Sequence, residues 1–497
     1  MIASKYQKAI YRSFLTTDEN INISAVAGSG KTTVLVHLLN FVKKSNSALF
    51  LAFNKSVVNE LRDRIKQREN VEVMTVHSYG WRCILGRYGS YAKINANKSL
   101  SKIERAMKLF PKVDENKKGW YFYIITQIID LLRCNLLEPS SENIDKISEH
   151  YNLNVSPLDA KIAKKVFELM DKDKRNFDFM DMIYQPISDG TIRQRKYDYV
   201  FCDECQDFSV AQQNLIKNAL NRKGRLITVG DPRQAIYGFC GADSNSYSNL
   251  STINGESLNL PLSVSYRCAK NIVLEAKNIV PEISYSKNAK DGIVREGSLM
   301  ELEDGDWILC RNLKPLVQTC LWLMKNKVKS KIRGKDIGEG ILALVSKTGS
   351  KTLKGLSTEL IHEKDKLFNK LTKRGVSHPS LHPKMEDLNE KIEVIECLMS
   401  EVNSIQTLKT LISNIFSDEI KGILLSTIHK AKGLENDKVF FLCPDLIPSK
   451  YATQDWQLQQ EQNLKYVAIT RAKSKLIYVK ESQFIDDLKR KFDYGRN

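Results

Sequence analysis

A glycine-rich stretch, AVAGSGKT at residues 25–32, lies between a short apolar run and a predicted helix. Gly28 and Gly30 let backbone N–H groups surround a phosphate, and the helix N-terminus adds positive potential. Lys31 is expected to reach the outer phosphates of a nucleotide, and the Thr32 hydroxyl to bind Mg²⁺. The alternative is a tight turn without a ligand. The pattern favours a nucleotide-phosphate and Mg²⁺ site made by Ala27, Gly28, Ser29, Gly30, Lys31, Thr32 and Thr33.

Charged residues further along the chain could complete such a site. Asp203 and Glu204 follow the apolar run at 199–202. Asp203 suits a Mg²⁺ coordination shell, and Glu204 suits a general base that orients the attacking water. An acidic pair alone is as often a solvated turn, but the upstream glycine-rich stretch favours the catalytic interpretation. Arg267 and Arg471 could reach a γ-phosphate, although an arginine taken alone is more often solvated.

The composition indicates an anionic partner and an intracellular protein. Lys and Arg number 76 against 58 Asp and Glu, a formal charge of +18, which favours nucleic acid over an anionic membrane. The first residues form no apolar signal segment, and the longest apolar stretch, 120–132, is too short to span a bilayer. The ten cysteines are expected to stay reduced. We therefore expect a cytoplasmic location, in the host cytoplasm if the protein is phage-encoded, and no membrane partner.

Strand and helix patterns alternate along the chain, which predicts an α/β fold with parallel sheets and helices on both faces. Helical patterns interrupt this alternation twice. We expect two α/β domains, each with a helical insertion. The predicted boundaries are 1–83 and 177–260 for the first domain, 84–176 for its insertion, 261–327 and 421–497 for the second domain, and 328–420 for its insertion.

The order of the motifs is similar to that of superfamily 1 helicases of the UvrD/Rep/PcrA type, over almost the whole chain. Residues 25–32 resemble the family's A-x-A-G-S-G-K-T box, and DECQD at 203–207 resembles its DExQD box. The other matching segments are 51–55 and 75–78 (motifs Ia and Ib), 229–239 (motif III), 265–267 (motif IV), 427–435 (motif V) and 466–472 (motif VI). So many ordered boxes make the resemblance specific, and the short second insertion resembles that of a compact member, phage-like or close to the F-box helicases.

The resemblance implies two RecA-like P-loop motor domains, 1A and 2A, with helical insertions 1B and 2B. It implies that ATP bridges the two motors and that its hydrolysis removes the bridge. The implied catalytic residues are the base Glu204, the γ-phosphate sensor Gln234, and the arginine fingers Arg267 and Arg471. Further ATP contacts are implied for Gln7, Tyr266 and Glu435, and metal ligands for Thr32 and Asp203. The implied DNA contacts are Phe53, Asn54, Lys55, His77, Tyr237, Phe239 and His429.

The function that the resemblance implies is an ATP-dependent 3′→5′ DNA helicase and single-stranded DNA translocase in replication, recombination or repair. The implied partners are single-stranded DNA, 3′-tailed duplex DNA, and replication or recombination proteins, and a monomer is expected. The 3′→5′ direction rests on the Q-x-x-Y-x-aromatic segment at 234–239, which the opposite-polarity branch lacks. Two alternatives stay open: an RNA helicase or RNP remodeller, and an accessory translocase that strips proteins without processive unwinding.

Overall fold

The chain divides into two units, Met1–Ser263 and Val264–Asn497. The computed structural model describes residues 3–52, 55–65, 68–111, 113, 118–151, 153, 155–238, 241–243, 245–253, 255–373, 379–418 and 422–491. Each unit contains one six-stranded sheet whose neighbouring strands are all parallel. The predicted α/β class with two parallel sheets is therefore confirmed.

The strands of the first unit are β1 (Asn20–Ala25), β2 (Ala48–Ala52), β3 (Val71–Thr75), β4 (Lys93–Ile94), β5 (Asn176–Phe177), β6 (Tyr197–Cys202), β7 (Leu220–Gly230) and β8 (Ser257–Leu262). Six of them form the sheet, in the order β3-β2-β6-β7-β1-β8, while β4 and β5 form a separate pair. Ile21 lies opposite Ile227, and Phe50 lies opposite Phe201. Every residue of β2 is buried, as expected for an inner parallel strand that helices cover on both faces.

Alternate residues of β2 and β6 enter two different apolar cores, one on each face of the sheet. Phe50 and Phe201 belong to one core, and Leu49 and Val200 belong to the other.

The helices of this unit are α1 (Lys5–Thr16), α2 (Lys31–Leu39), α3 (Lys55–Ile65), α4 (Val76–Tyr88), α5 (Lys98–Met107), α6 (Lys118–Cys134), α7 (Ser141–His150), α8 (Pro157–Asp171), α9 (Asp181–Ser188), α10 (Val210–Ala219) and α11 (Ser246–Ser251).

Helices α5 to α8 form an insertion between β3 and β6 with an apolar core of its own. Ile103, Ile128 and Val166 are fully buried in that core. The predicted insertion, 84–176, covers these four helices. Its first residue falls inside α4, however, and Ile84 packs in a core of the sheet.

The strands of the second unit are β9 (Val264–Ser265), β10 (Ser284–Tyr285), β11 (Ile293–Glu296), β12 (Trp307–Cys310), β13 (Ser330–Ile332), β14 (Ile423–Thr427), β15 (Asn436–Leu442) and β16 (Ala472–Val479). The sheet order is β11-β16-β15-β12-β14-β13, and β9 pairs separately with β10. Strand β13 lies within 328–420, the range predicted as a helical insertion. It pairs with β14, so the sheet extends into that range.

The helices of the second unit are α12 (Lys270–Lys277), α13 (Leu313–Lys325), α14 (Lys335–Lys347), α15 (Leu353–Thr372), α16 (Pro383–Met399), α17 (Ile405–Ile415), α18 (Asp455–Ile469) and α19 (Glu481–Leu488). Helices α14 to α17 form the second insertion, and they share one apolar core with the sheet. Leu356 and Ile395 of the insertion belong to the same core as Ile308 of β12. Among the described helices, none combines the length and the apolar character needed to cross a membrane.

Candidate functional site

The candidate nucleotide residues of the first unit meet at one edge of its sheet. Strands β6, β7 and β1 are neighbours, and all three are parallel. Their carboxyl ends therefore lie side by side, which is where ligands bind in open α/β sheets. The glycine-rich stretch follows β1, the acidic pair follows β6, and Gln234 lies four residues after β7. The sheet order thus brings together segments that are about 170 to 200 residues apart in the sequence.

The glycine-rich turn has the backbone shape that a phosphate cradle requires. Gly28 and Gly30 have positive φ angles of +70° and +82°, a region that other residue types rarely adopt. Gly30 caps α2, so the N–H groups of the first helical turn point into the turn. The hydroxyl of Ser29 donates to the carbonyl of Val26 at 2.8 Å and closes the turn. Ala27 and Ser29 are fully buried, whereas Thr33 is exposed.

Two side-chain contacts connect this turn with the acidic pair. Lys31 Nζ lies 2.9 Å from Glu204 Oε2, and Thr32 Oγ1 donates to Asp203 Oδ2 at 2.8 Å. Burial lowers the pKa of Lys31, but Glu204, Asp231 and Asp203 outweigh it and raise that pKa overall. The lysine is therefore charged, and its partners in this structure are carboxylates.

The acidic side of the site carries more negative charge than one lysine neutralises. Burial, and then the charge of Glu204, raise the pKa of Asp203 to about 6. Burial likewise raises the pKa of Asp231 to about 6. Such buried carboxylates favour a bound cation. Mg²⁺ takes oxygen ligands from one or two carboxylates together with phosphates, so the Thr32 hydroxyl and Asp203 fit that ion.

Glu204 has an unusual backbone conformation. Its φ and ψ angles are +53° and +41°, in the left-handed region, which costs a residue with a side chain about 1–3 kcal/mol. The carboxylate accepts from Gln206 Nε2 at 2.8 Å as well as pairing with Lys31. The tight turn after β6 therefore aims this carboxylate at the glycine-rich stretch.

Gln206 and Asp231 join the candidate base to Gln234, a connection that the sequence reasoning missed. Gln206 Oε1 accepts the N–H of Asp231 at 3.0 Å, and Gln234 Nε2 donates to Asp231 Oδ2 at 2.6 Å. All three side chains are nearly buried. Both residues lie within the boxes recognised at 203–207 and 229–239, and that placement is the signal that could have found them.

Gln7 lies beside the glycine-rich turn. Its Oε1 accepts from the N–H of Ser4 at 2.9 Å in the capping box of α1. Its Nε2 lies 3.9 Å from the position that a Cβ of Gly30 would take. The structure therefore places the predicted adenine-reading glutamine next to the predicted phosphate turn.

In the second unit, three of the four predicted nucleotide residues form one small group. Glu435 accepts from Arg267 Nε in an ion pair and from Lys473 Nζ at 3.2 Å. Arg471 is 1% exposed, and it donates to the carbonyls of Val467 at 3.0 Å and Leu434 at 2.8 Å. Arg471 thereby binds the residue that precedes Glu435.

The other residues predicted to contact the nucleotide or DNA lie at several different places in the two units. Tyr266 is 38% exposed. His77 is half-buried as the second residue of α4, and burial lowers its pKa. Tyr237 and His429 are half-buried as well. Lys55 is the first residue of α3. Phe53, Asn54 and Phe239 lie outside the described residues.

A parallel sheet with a glycine-rich turn between a strand and a helix, and with carboxylates on the neighbouring strands, defines a P-loop nucleotide-binding protein. Residues 4–253 match the UvrD/REP helicase N-terminal domain, and residues 376–483 match the UvrD-like helicase C-terminal domain. The chain therefore belongs to the UvrD-like helicase family. The resemblance seen in its motifs is confirmed.

The curated relatives of this chain include F-box DNA helicases and PcrA DNA helicases. F-box DNA helicase protein 1 of Schizosaccharomyces pombe is 25% identical over 95% of this chain and 56% of its own length. F-box DNA helicase 1 of Gallus gallus is 24% identical over 95% of this chain and 48% of its own. ATP-dependent DNA helicase PcrA of Bacillus subtilis is 26% identical over 55% of this chain and 39% of its own. The chain thus spans about half the length of the curated relatives it matches.

Proposed function

We propose that this chain is an ATP-dependent DNA helicase that translocates 3′→5′ along single-stranded DNA and acts in replication, recombination or repair. The observation that carries the proposal is the pair of contacts from Lys31 to Glu204 and from Thr32 to Asp203 at the carboxyl edge of the sheet. The names of the relatives, DNA helicases in both groups, support DNA as the nucleic acid.

The proposed hydrolysis begins when the triphosphate replaces Glu204 as the partner of Lys31. Glu204 is then able to accept a proton from the attacking water, while Gln234 contacts the γ-phosphate. Thr32 and Asp203 would hold Mg²⁺, which when bound neutralises phosphate charge. Arg267 and Arg471 stabilise the charge that develops on the transferred group.

The proposed grip on DNA relies on stacking, which tolerates any base sequence at about 1–3 kcal/mol per base. Tyr237 and Phe239 are the proposed stacking residues, with His77 and His429 as further contacts. The formal charge of +18 supports salt-dependent binding to phosphates. The 3′→5′ direction rests on the segment 234–239 that this chain shares with the UvrD/Rep branch.

A strand-displacement assay with matched 3′- and 5′-tailed DNA duplexes tests this proposal. We expect ATP-dependent unwinding of the 3′-tailed duplex and little activity on the 5′-tailed one. A 3′-tailed RNA duplex is the third substrate, and ATP hydrolysis is followed with each. Preference for the 5′ tail would refute the direction, and faster unwinding of RNA would refute the choice of DNA.

A further inference from the structure

Arg311 joins two helices of the second unit at the carboxyl edge of the sheet. It directly follows β12, and its side chain is 14% exposed. Its Nε lies 3.0 and 3.2 Å from the two carboxylate oxygens of Glu461, and its Nη2 donates to Glu386 at 3.2 Å. Their side chains are only 9% and 19% exposed. An arginine binds carboxylates in defined directions, so this Arg311 cluster (Arg311, Glu386 and Glu461) fixes how the two helices lie.

Glu461 belongs to α18, the helix that leads to the candidate catalytic arginine. Six residues after Glu461, about 9 Å along the helix axis, Val467 accepts from Arg471 Nε at 3.0 Å. Arg471 also donates to Leu434, which precedes the candidate ribose contact Glu435. A rigid helix therefore connects the Arg311 cluster with the candidate nucleotide residues of this unit.

Glu386 belongs to α16 in the helical insertion. One turn further along α16, Glu390 accepts the N–H of Leu313, the first residue of α13, at 2.6 Å. Ser449 closes a ring, because its hydroxyl donates to Glu386 at 2.8 Å and its N–H donates to Glu461 at 3.0 Å. Two carboxylates of α16 thus attach the insertion to the carboxyl edge of the sheet.

The candidate DNA contact His429 lies within the field of the same arginine. His429 follows β14, which is a direct neighbour of β12. Burial, and then the charges of Arg311 and Lys432, lower the pKa of His429 to about 3. The imidazole is therefore neutral at pH 7 and can act as a hydrogen-bonding group toward a bound nucleotide chain.

We infer that Arg311 is a positioning residue that couples DNA contact at His429 to Arg471, through its ion pairs with Glu386 of the insertion and Glu461 of α18. The inference rests on the proposed function, because it connects a proposed DNA contact with a proposed nucleotide contact. A displacement of the carboxyl edge of the sheet at His429 moves Arg311. Because Glu461 is bound to Arg311, helix α18 moves with it, and α18 carries the carbonyl of Val467 that accepts from Arg471. The insertion takes part because Glu386 of α16 binds the same guanidinium group of Arg311 as Glu461 does.

Stimulation of ATP hydrolysis by DNA tests this coupling. The variants are Arg311→Gln and Glu386→Gln, and the readout is the kcat with saturating oligo-dT divided by the kcat without DNA. We expect both variants to lower this ratio about tenfold, within the range known for coupling mutations. Arg311→Lys should restore part of the ratio, because it keeps the charge but not the forked geometry.

Glu393→Gln is the matched control, since Glu393 lies on the same helix and forms an exposed pair with Lys314 at 3.3 Å. It should keep the wild-type ratio.

If Arg311→Gln fails to fold, the ratio of Glu386→Gln still tests the inference. Equal loss of both kcat values together with a lowered Tm would reveal a structural role only and overturn the inference. Wild-type hydrolysis that oligo-dT leaves unchanged would overturn the proposed function too, whereas a stimulated wild type with normal ratios in both variants would overturn the inference alone.

Discussion

In the first unit the candidate nucleotide residues other than Gln7 of α1 follow the carboxyl ends of strands, whereas in the second unit Glu435 and Arg471 precede the amino ends of β15 and β16. His429, a candidate DNA contact, follows the carboxyl end of β14 instead. Two sheets of the same class thus use opposite edges for the nucleotide residues predicted in them. The comparison teaches that the fold type alone does not fix which edge carries the chemistry.

The candidate nucleotide residues form a negative group in the first unit and a positive group in the second. In the first unit Lys31 faces Asp203, Glu204 and Asp231, so carboxylates exceed cations. In the second unit Glu435 faces both Arg267 and Lys473, so cations exceed carboxylates. The first arrangement favours a metal ion, and the second favours an anionic phosphate. This difference can be tested residue by residue.

The largest effect is expected for Arg267→Ala, which removes a cation from the positive group. Arginines that stabilise phosphoryl transfer contribute about 10³–10⁵-fold to the rate, so kcat for ATP should fall by about 10³ or more. Steady-state hydrolysis in the presence of single-stranded DNA measures it. Arg295→Ala is the control, because Arg295 pairs with Glu301 at the surface of the same unit. Equal kcat values in the two variants would contradict a catalytic role for the positive group.

A second effect is expected for Glu204→Gln in the negative group. A general base contributes about 10²–10⁴-fold, so kcat should fall by that factor while ATP binding persists through Lys31. Turnover and the binding of a fluorescent ATP analogue are the two measurements. Glu142→Gln, at an exposed pair with Lys146, should change neither. Near-normal turnover without Glu204 would mean that another group takes the proton.

The smallest effect concerns stability and its dependence on pH. The pKa of Asp203 is raised to about 6, so the folded protein binds its proton more tightly than the unfolded chain. Stability is therefore lost as the pH rises through 6, and Asp203→Asn should avoid that loss. We expect the variant to be more stable than the wild type by about 2–3 kcal/mol at pH 8, and the gain to vanish below pH 4.

Thermal unfolding without nucleotide or metal measures this difference at both pH values. Asp173→Asn provides the contrast. Bonds from Lys102 and Asn176 outweigh burial and lower the pKa of Asp173 to about 2. Its carboxylate therefore adds stability that is present above pH 4 and is lost as the pH falls through 2, so this variant should be less stable at pH 8. The same sign for both variants would contradict the assigned charge balance.

The sequence predicted the sheets well because their strands are continuous apolar runs. The apolar stretch at 48–52 forms β2, and the one at 307–310 forms β12. Strand β13 was missed because it has only three residues, too few for a periodic pattern. Its pairing with β14 is set by contacts with residues about 90 positions away. The predicted phosphate turn was recognisable because Gly28 and Gly30 adopt positive φ angles, a local requirement that favours glycine at these positions.

The sequence by itself determined the α/β class, the phosphate turn and the family, since these depend on local periodicity and on residue types at short spacing. Only the tertiary structure decided that Gln206 and Asp231 join Glu204 to Gln234, and that Arg471 is buried against backbone carbonyls. Those contacts depend on strand order and on distances across the sheet, which no local pattern encodes. A buried polar group must find its partners wherever the packed chain brings them, so its role is settled only when the whole unit has folded.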